Sequence, residues 1–359
     1  MKNRLEALQE SYFPGKADAL LVENGINRKF LLHFSSSAGT LIILPQKSYF
    51  IIDFRYIEAA RMQIHLPDCE IILQDRLYDQ LNEIFTRHGV KTVGVEDDRL
   101  TLSQFALLEE KLPSVRFLPR SGLSAQLLSA RMIKTPEEIG KIRQAQGITD
   151  AAFTHILNYI RPGVTEKQVA LELEYQMKKM GADDLSFETI AVAGKNSSRP
   201  HGVPSGYPIQ RGDFVTMDFG ALVDGYHSDM TRTVAVGSVS EEQERVYETV
   251  LTAQLMALEA IAEGKACSEI DKIARDYINE NGYEGCFGHG LGHGVGLEIH
   301  EEPRFSPGCQ EILKNNMVIT VEPGIYLEGK FGVRIEDFVV VAGDTAVNLT
   351  KSEKKLICL

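Results

Sequence analysis

The chain has 359 residues, 43% of them hydrophobic, and carries 38 Lys and Arg against 50 Asp and Glu, a formal net charge of −12. That length suits about two domains, each with its own core. The acidic balance disfavours nucleic acid, whose phosphates recruit Lys and Arg, and equally a basic helix lying on a membrane. No apolar run approaches the ~20 residues of a membrane span. The opening Met1-Lys2-Asn3-Arg4-Leu5-Glu6 leads into no long apolar segment, and the five cysteines show no CxxC spacing. A cytoplasmic protein without disulfides is expected.

In the first third, short apolar runs predict strands at 19–22, 40–44, 49–52, 70–73, 93–95 and 115–118, with helices beginning near Tyr56, Leu77 and Leu102. Pro45-Gln46-Lys47 reads as a hairpin turn. Such alternation predicts a small α/β domain. A boundary is expected within 120–132, which divides the chain into 1–126 and 127–359. Thr135 then opens a helix, with Pro136 at its first position and Glu138 reaching back as a capping box. Thr165 with Gln168 repeats the signal after Pro162-Gly163. Further helices are expected from Ser240, boxed by Gln243, to Gly264, and from near Ser268 to Gly282. Two helices followed by a strand-rich hairpin thus occur twice, with hairpins at 214–236 and 317–341.

The hairpins carry the chemistry. Asp218 interrupts the apolar run Phe214-Val215-Thr216-Met217, and Asp229 follows the turn pair Asp224-Gly225. Their midpoint, 223.5, predicts that they lie nearly opposite each other, about 4.5–5.5 Å apart at Cβ. Like charges held so close repel unless a cation or proton intervenes. Glu322, after Val318-Ile319-Thr320-Val321, and Glu336, after Gly332-Val333-Arg334-Ile335, repeat the device about Gly329. Four converging carboxylates call for divalent metal. Imidazoles are offered by the run Gly288-His289-Gly290-Leu291-Gly292-His293-Gly294-Val295-Gly296-Leu297-Glu298-Ile299-His300-Glu301, where alternate glycines let the backbone pack closely around His289 and His293. His227 is read as an exposed hairpin histidine, and His33, His65, His88 and His155 as structural. The sequence holds no GxGxxG, HExxH, GxSxG or GxxxxGK[ST], which leaves serine-nucleophile and phosphate-loop chemistry without support.

Asp218, Asp229, His293, Glu322 and Glu336, with the run from His289 to Glu301, resemble the metallopeptidases that comprise Xaa-Pro dipeptidases (prolidases), Xaa-Pro aminopeptidases and methionine aminopeptidases, and the histidine-glycine run resembles the proline-peptidase branch. The match spans residue 135 to the C-terminus; Asp53-Phe54-Arg55-Tyr56 and the α/β alternation fit that branch's N-terminal domain less specifically. The resemblance implies an α+β architecture: a C-terminal pita-bread catalytic domain of creatinase/aminopeptidase type, and a smaller N-terminal α/β domain of creatinase type. It implies two divalent ions, manganese first, cobalt or zinc otherwise. Asp218 would chelate one ion, His293 and Glu322 the other, and Asp229 and Glu336 would bridge them. The metals would activate a shared water, with Glu322 taking its proton.

By the same resemblance His201 would donate to the scissile carbonyl oxygen, His300 would hold the substrate backbone or leaving-group side, and His289 would line the pocket. Arg334 and Tyr326 would support the carboxylates and substrate. Arg304 would take a dipeptide's C-terminal carboxylate in its guanidinium fork. The expected activity is hydrolysis of the bond before proline in di- or oligopeptides, with dipeptidase favoured over aminopeptidase, in a homodimer that binds neither nucleic acid nor membrane. Metal-free hydrolases and peptide-binding proteins on the same fold form the alternative class. Phe187 and Tyr207 are candidate pocket walls.

Overall fold

The computed structural model describes residues 3–13 and 15–359. They form two units, one closing at Arg131 and the other spanning Met132–Leu359. The division lies five residues beyond the expected 126/127 because the chain there is not a linker: helix Leu123–Met132 runs through that point.

The first unit holds helices α1 (Arg4–Tyr12), α2 (Gly25–Leu32), α3 (Ile57–Gln63), α4 (Leu77–Arg87), α5 (Leu102–Lys111) and α6 (Leu123–Met132). Its strands are β1 (Ala19–Val22), β2 (Thr40–Ile43), β3 (Ser48–Ile52), β4 (Cys69–Leu73), β5 (Thr92–Val95) and β6 (Arg116–Leu118), in the order β4-β3-β2-β1-β5-β6. β2 and β3 pair antiparallel across Pro45-Gln46-Lys47, Ile43 opposite Ser48. Three helices had not been expected. Asn3 and Asn24 cap α1 and α2 through side-chain oxygens, a signal that apolar periodicity alone does not report.

In the second unit, the capping boxes of Thr135, Thr165 and Ser240 form as expected and start α7 (Pro136–Ile156), α8 (Glu166–Lys179) and α9 (Glu241–Ala260). α9 ends four residues before Gly264, and α10 (Cys267–Ile278) passes into a wide turn at Asn279–Tyr283 that Gly282 closes at φ 88°. The strands are β7 (Asp184–Leu185), β8 (Ile190–Ala193), β9 (Phe214–Phe219), β10 (Ala221–Val223), β11 (Tyr226–His227), β12 (Met230–Ala235), β13 (Gly292–Gly294), β14 (Glu301–Phe305), β15 (Val318–Val321), β16 (Gly324–Leu327), β17 (Phe331–Arg334), β18 (Asp337–Ala342) and β19 (Thr345–Asn348). Two apolar cores reproduce the repeat. One packs α7 and α8 against β8, β9 and β12 around Phe153, Leu173 and Met217; the other packs α9 and α10 against β15 to β18 around Tyr247, Ile270 and Val339.

The hairpin registers differ in how well local sequence foretold them. The second behaves as expected: Gly324 faces Arg334 and Val321 faces Asp337, so Glu322 and Glu336 stand at matching positions where the ladder breaks. The first is shifted. Asp224 and Gly225 both take positive φ, 49° and 76°, as the centre of a two-residue primed turn, which fixes Val223 opposite Tyr226. Asp218 therefore faces Thr231, and Asp229 is its diagonal neighbour rather than its opposite. The two hairpins join through the Glu336 amide, which donates to the Thr231 carbonyl at 3.0 Å.

Candidate metal centre

Asp229, Glu322 and Glu336 project from points where strands are interrupted, whereas Asp218 lies within β9. Asp229 precedes β12 and is 4% exposed, while Glu336 lies between β17 and β18 and is 1% exposed. His293, in the middle of β13, is held there by glycines. A Cβ at Gly292 would collide with the Thr320 carbonyl and one at Gly294 with that of Glu302, so only glycine permits this strand spacing. Ligand atoms of Asp229, His293 and Glu336 lie within 4.8 Å of one another. His293 Nε2 is 3.4 Å from Glu322 Oε1 and 3.6 Å from Asp229 Oδ2. Its Nδ1 is 3.1 Å from the Gly294 carbonyl, the arrangement in which Nδ1 keeps the proton and Nε2 offers a lone pair.

The electrostatics are those of crowded, buried carboxyl groups. Burial raises the Asp229 and Glu336 carboxyls well above the ordinary carboxylate range, and repulsion among Asp218, Glu322 and each other adds to it. Burial pushes Glu322 up to about 8. It pulls His293 down to about 3, so this imidazole is neutral near pH 7. Thr231 Oγ1 donates to Glu336 Oε2 at 2.7 Å, yet Glu336 Oε1 is buried with no partner. Asp218 Oδ2 receives Arg334 Nη2 at 2.6 Å, and its Oδ1 is likewise buried and unpartnered. Orphaned carboxylate oxygens beside a neutral imidazole are the donor set for hard to borderline divalent cations. The residues present fit such an ion.

A cavity of about 590 Å³ opens onto this cluster. His201, His300, Arg304, His289 and Arg334 line it together with Asp218, Asp229, His293, Glu322 and Glu336. His300 packs edge-to-face on His293 with ring centres 4.5 Å apart, and Arg304 sits opposite His293 in the β13–β14 ladder. Tyr326 does not line the cavity. Its phenol accepts from Arg334 Nη1 at 2.9 Å and lies 2.9 Å from His289 Nε2, while His289 Nδ1 is 2.8 Å from the Gly290 carbonyl. Arg334 thus donates both to Asp218 and to Tyr326, and the Tyr326 phenol links it to His289. Phe187 lines the cavity; Tyr207 instead donates to Asp213 at 3.1 Å. His227 is not exposed as expected: the hairpin end packs on the following loop, its N–H donating to the Gly296 carbonyl at 2.9 Å and its ring meeting Ser186 Oγ at 2.9 Å. His155, paired with Glu172, does not line the cavity; His88, against the Tyr49 hydroxyl, belongs to the first unit, as do His33 and His65.

The profile of metallopeptidase family M24 matches residues 140–342, and that of the creatinase/prolidase N-terminal domain matches residues 4–133. The chain belongs to metallopeptidase family M24. An Xaa-Pro dipeptidase of Pyrococcus furiosus is 39% identical over 99% of this chain and all of that protein. Among solved structures, an Xaa-Pro dipeptidase from Bacillus anthracis superposes with a TM-score of 0.94 at 42% identity, covering 99% of each chain. An X-Pro aminopeptidase from Thermotoga maritima superposes at 0.92 and 36% identity, covering 99% of this chain and 100% of that one. The two helix-helix-hairpin halves are therefore the M24 pita-bread domain, and the enzyme is a metal-dependent peptidase. No helix among the described residues is long and apolar enough to cross a membrane.

Several further residues shape the backbone around the M24 site. Lys134 Nζ pairs with Glu301 Oε2 at 2.9 Å, both side chains 3% exposed, while Glu301 Oε1 accepts the Leu297 and Glu298 amides and so shapes the loop before His300. Asp271 and Arg275, an i,i+4 pair on α10, bind the Leu291 amide and the Phe287 and His289 carbonyls. The i,i+4 spacing is visible in sequence; the use of Lys134 is not, because its partner lies 167 residues away.

Proposed function

We propose that this enzyme hydrolyses the peptide bond before proline, acting as an Xaa-Pro dipeptidase with two divalent ions, manganese first among them, in a cytoplasmic homodimer. The observation that carries it is the joining of the buried Asp229-His293-Glu336 cluster to a cavity rimmed by His201, His300 and Arg304. Asp218, Asp229, His293, Glu322 and Glu336 would hold the ions, with Asp229 and Glu336 between them. Once bound, the ions supply Lewis acidity at the carbonyl and an acidified water as nucleophile.

The protein supplies the rest. Glu322, which lies 3.4 Å from His293 Nε2 and keeps 16% of its side-chain surface open, is suited to take the proton of the attacking water and pass it to the leaving imide nitrogen. His201 donates to the carbonyl oxygen as negative charge gathers there. His300, its ring held against His293, orients the substrate on the leaving side. Arg304 makes no ion pair among the described residues, which leaves its fork open to a terminal carboxylate. The five free thiols suit a reducing compartment.

With added Mn²⁺, the purified protein is expected to turn over Xaa-Pro at least tenfold faster than Xaa-Pro-Xaa. Faster tripeptide cleavage would make it an aminopeptidase, and no cleavage with less than one bound ion per chain would place it among metal-free relatives. Arg304→Gln is expected to raise KM for the dipeptide by roughly 10- to 100-fold, the worth of one charge-assisted fork, and to leave any tripeptide turnover within about twofold.

A further inference from the structure

His201 is carried by a loop, residues 194–205, between β8 and β9. Pro200, His201, Gly202, Val203 and Pro204 all face the cavity. On one side this loop is tied to β17, where the Gly332 amide donates to Ser197 Oγ at 2.9 Å and Arg334 Nη1 to the Pro200 carbonyl at 3.2 Å. The other tie is a carboxylate outside the cavity. Glu166, the first residue of α8, is 1% exposed. Its Oε1 accepts the Ala193 amide at 2.7 Å and Asn196 Nδ2 at 3.0 Å; its Oε2 accepts the Ser205 amide at 2.8 Å and the Ser205 hydroxyl at 2.5 Å. Ala193 precedes the loop and Ser205 closes it, so one side chain fastens both of its ends.

The chemistry of this contact is unusual. A buried carboxylate costs several kcal/mol unless it is paired or richly hydrogen-bonded. Glu166 meets that cost with four neutral donors, helped by its place at the N-terminus of α8. A glutamine cannot replace it, because its –NH₂ would face a backbone N–H, donor against donor. We propose that Glu166 is a positioning residue that holds His201 where the carbonyl oxygen of the substrate forms. This rests on the role given to His201 above. The exposed His201 ring itself has no hydrogen bond among the described residues, so its aim depends on the backbone that Glu166 fixes.

A double-mutant cycle tests this on Mn²⁺-loaded enzyme with an Xaa-Pro substrate. His201→Ala is expected to lower kcat by at least 10²-fold, and Glu166→Gln by about tenfold with KM within about twofold and bound metal unchanged. In the His201→Ala background, Glu166→Gln should cost less than about twofold. Amide hydrogen exchange across 194–205 should quicken in Glu166→Gln. A parental kcat in Glu166→Gln, or a tenfold loss that persists without His201, overturns the inference alone; a parental kcat in His201→Ala brings down the role of His201 as well. Should Glu166→Gln not fold, Ser205→Ala removes one donor, and its expected two- to fourfold loss of kcat must likewise vanish without His201 or the inference falls.

Discussion

Asp229→Asn is expected to abolish peptide hydrolysis, a loss of at least ~10³-fold in kcat/KM, while the metal-free protein becomes more stable. Both effects have one cause. Asp229 stands where the charges of Asp218, Glu322 and Glu336 overlap, and burial leaves little water to screen them. In the proposed role Asp229 would help hold the ions, and an amide in its place would lack the negative charge that a divalent cation needs there. Three orders of magnitude correspond to about 4 kcal/mol, the scale of several lost units of transition-state charge stabilisation. Without ions, the same substitution relieves repulsion, and a rise in Tm of a few degrees is expected for the metal-free variant over the metal-free parent. Metal analysis, calorimetry and an Xaa-Pro assay on one preparation check all three. Near-normal activity would refute the assignment; a lower Tm in the metal-free variant would refute the repulsion.

Stripping the metal is expected to make stability fall steeply with pH. The sign follows from the carboxyls. Asp229 and Glu336 titrate well above their usual range, and Glu322 near 8 instead of 4.5. Between the ordinary carboxylate pKa and those raised values, the folded protein binds more protons than the unfolded chain. Stability is then greatest below about pH 4 for these groups and is lost as pH rises through about 8, by a few kcal/mol in sum. His293 opposes this at the acid end: burial holds its pKa near 3, so the folded state refuses a proton that the unfolded chain accepts below about 6.5, and that part of stability is lost as pH falls toward 3. Metal-free protein should therefore melt highest in mildly acidic buffer, near pH 5, whereas loaded protein, whose ions keep the carboxylates ionised, should gain most from metal at pH 7 to 8. Thermal melts with and without chelator from pH 5 to 8 decide it; parallel curves would show that the cluster is not held by cations.

Particular residues show how far local sequence reaches. Thr135-Pro136-Glu138 names its own helix start because cap, first turn and box lie within four residues and need nothing else. Glu322 and Glu336 were legible as a facing pair because a hairpin about Gly329 fixes its register by counting. Counting went astray for Asp218 and Asp229, since the primed turn at Asp224-Gly225 centres the hairpin one residue later and shifts the pairing by two. The pair still shares a face, because a shift of two preserves the alternation of a strand. His227 shows another limit: its hairpin end is half-buried by the Gly296 loop, which no pattern near residue 227 announces.

Local pattern alone names the ingredients: two helix-helix-hairpin halves, four acids set into apolar strands, and histidines spaced by glycines. These signals are local, carried by capping, alternation and turn geometry within a few residues. Where those ingredients meet depends on contacts between distant parts of the chain. The Glu336 amide on the Thr231 carbonyl brings the hairpins together, Lys134 reaches Glu301 across 167 residues, and Glu166 fastens the loop that carries His201. A buried charge is stable only when its partners are assembled around it, and those partners are chosen by packing rather than by neighbours in the chain.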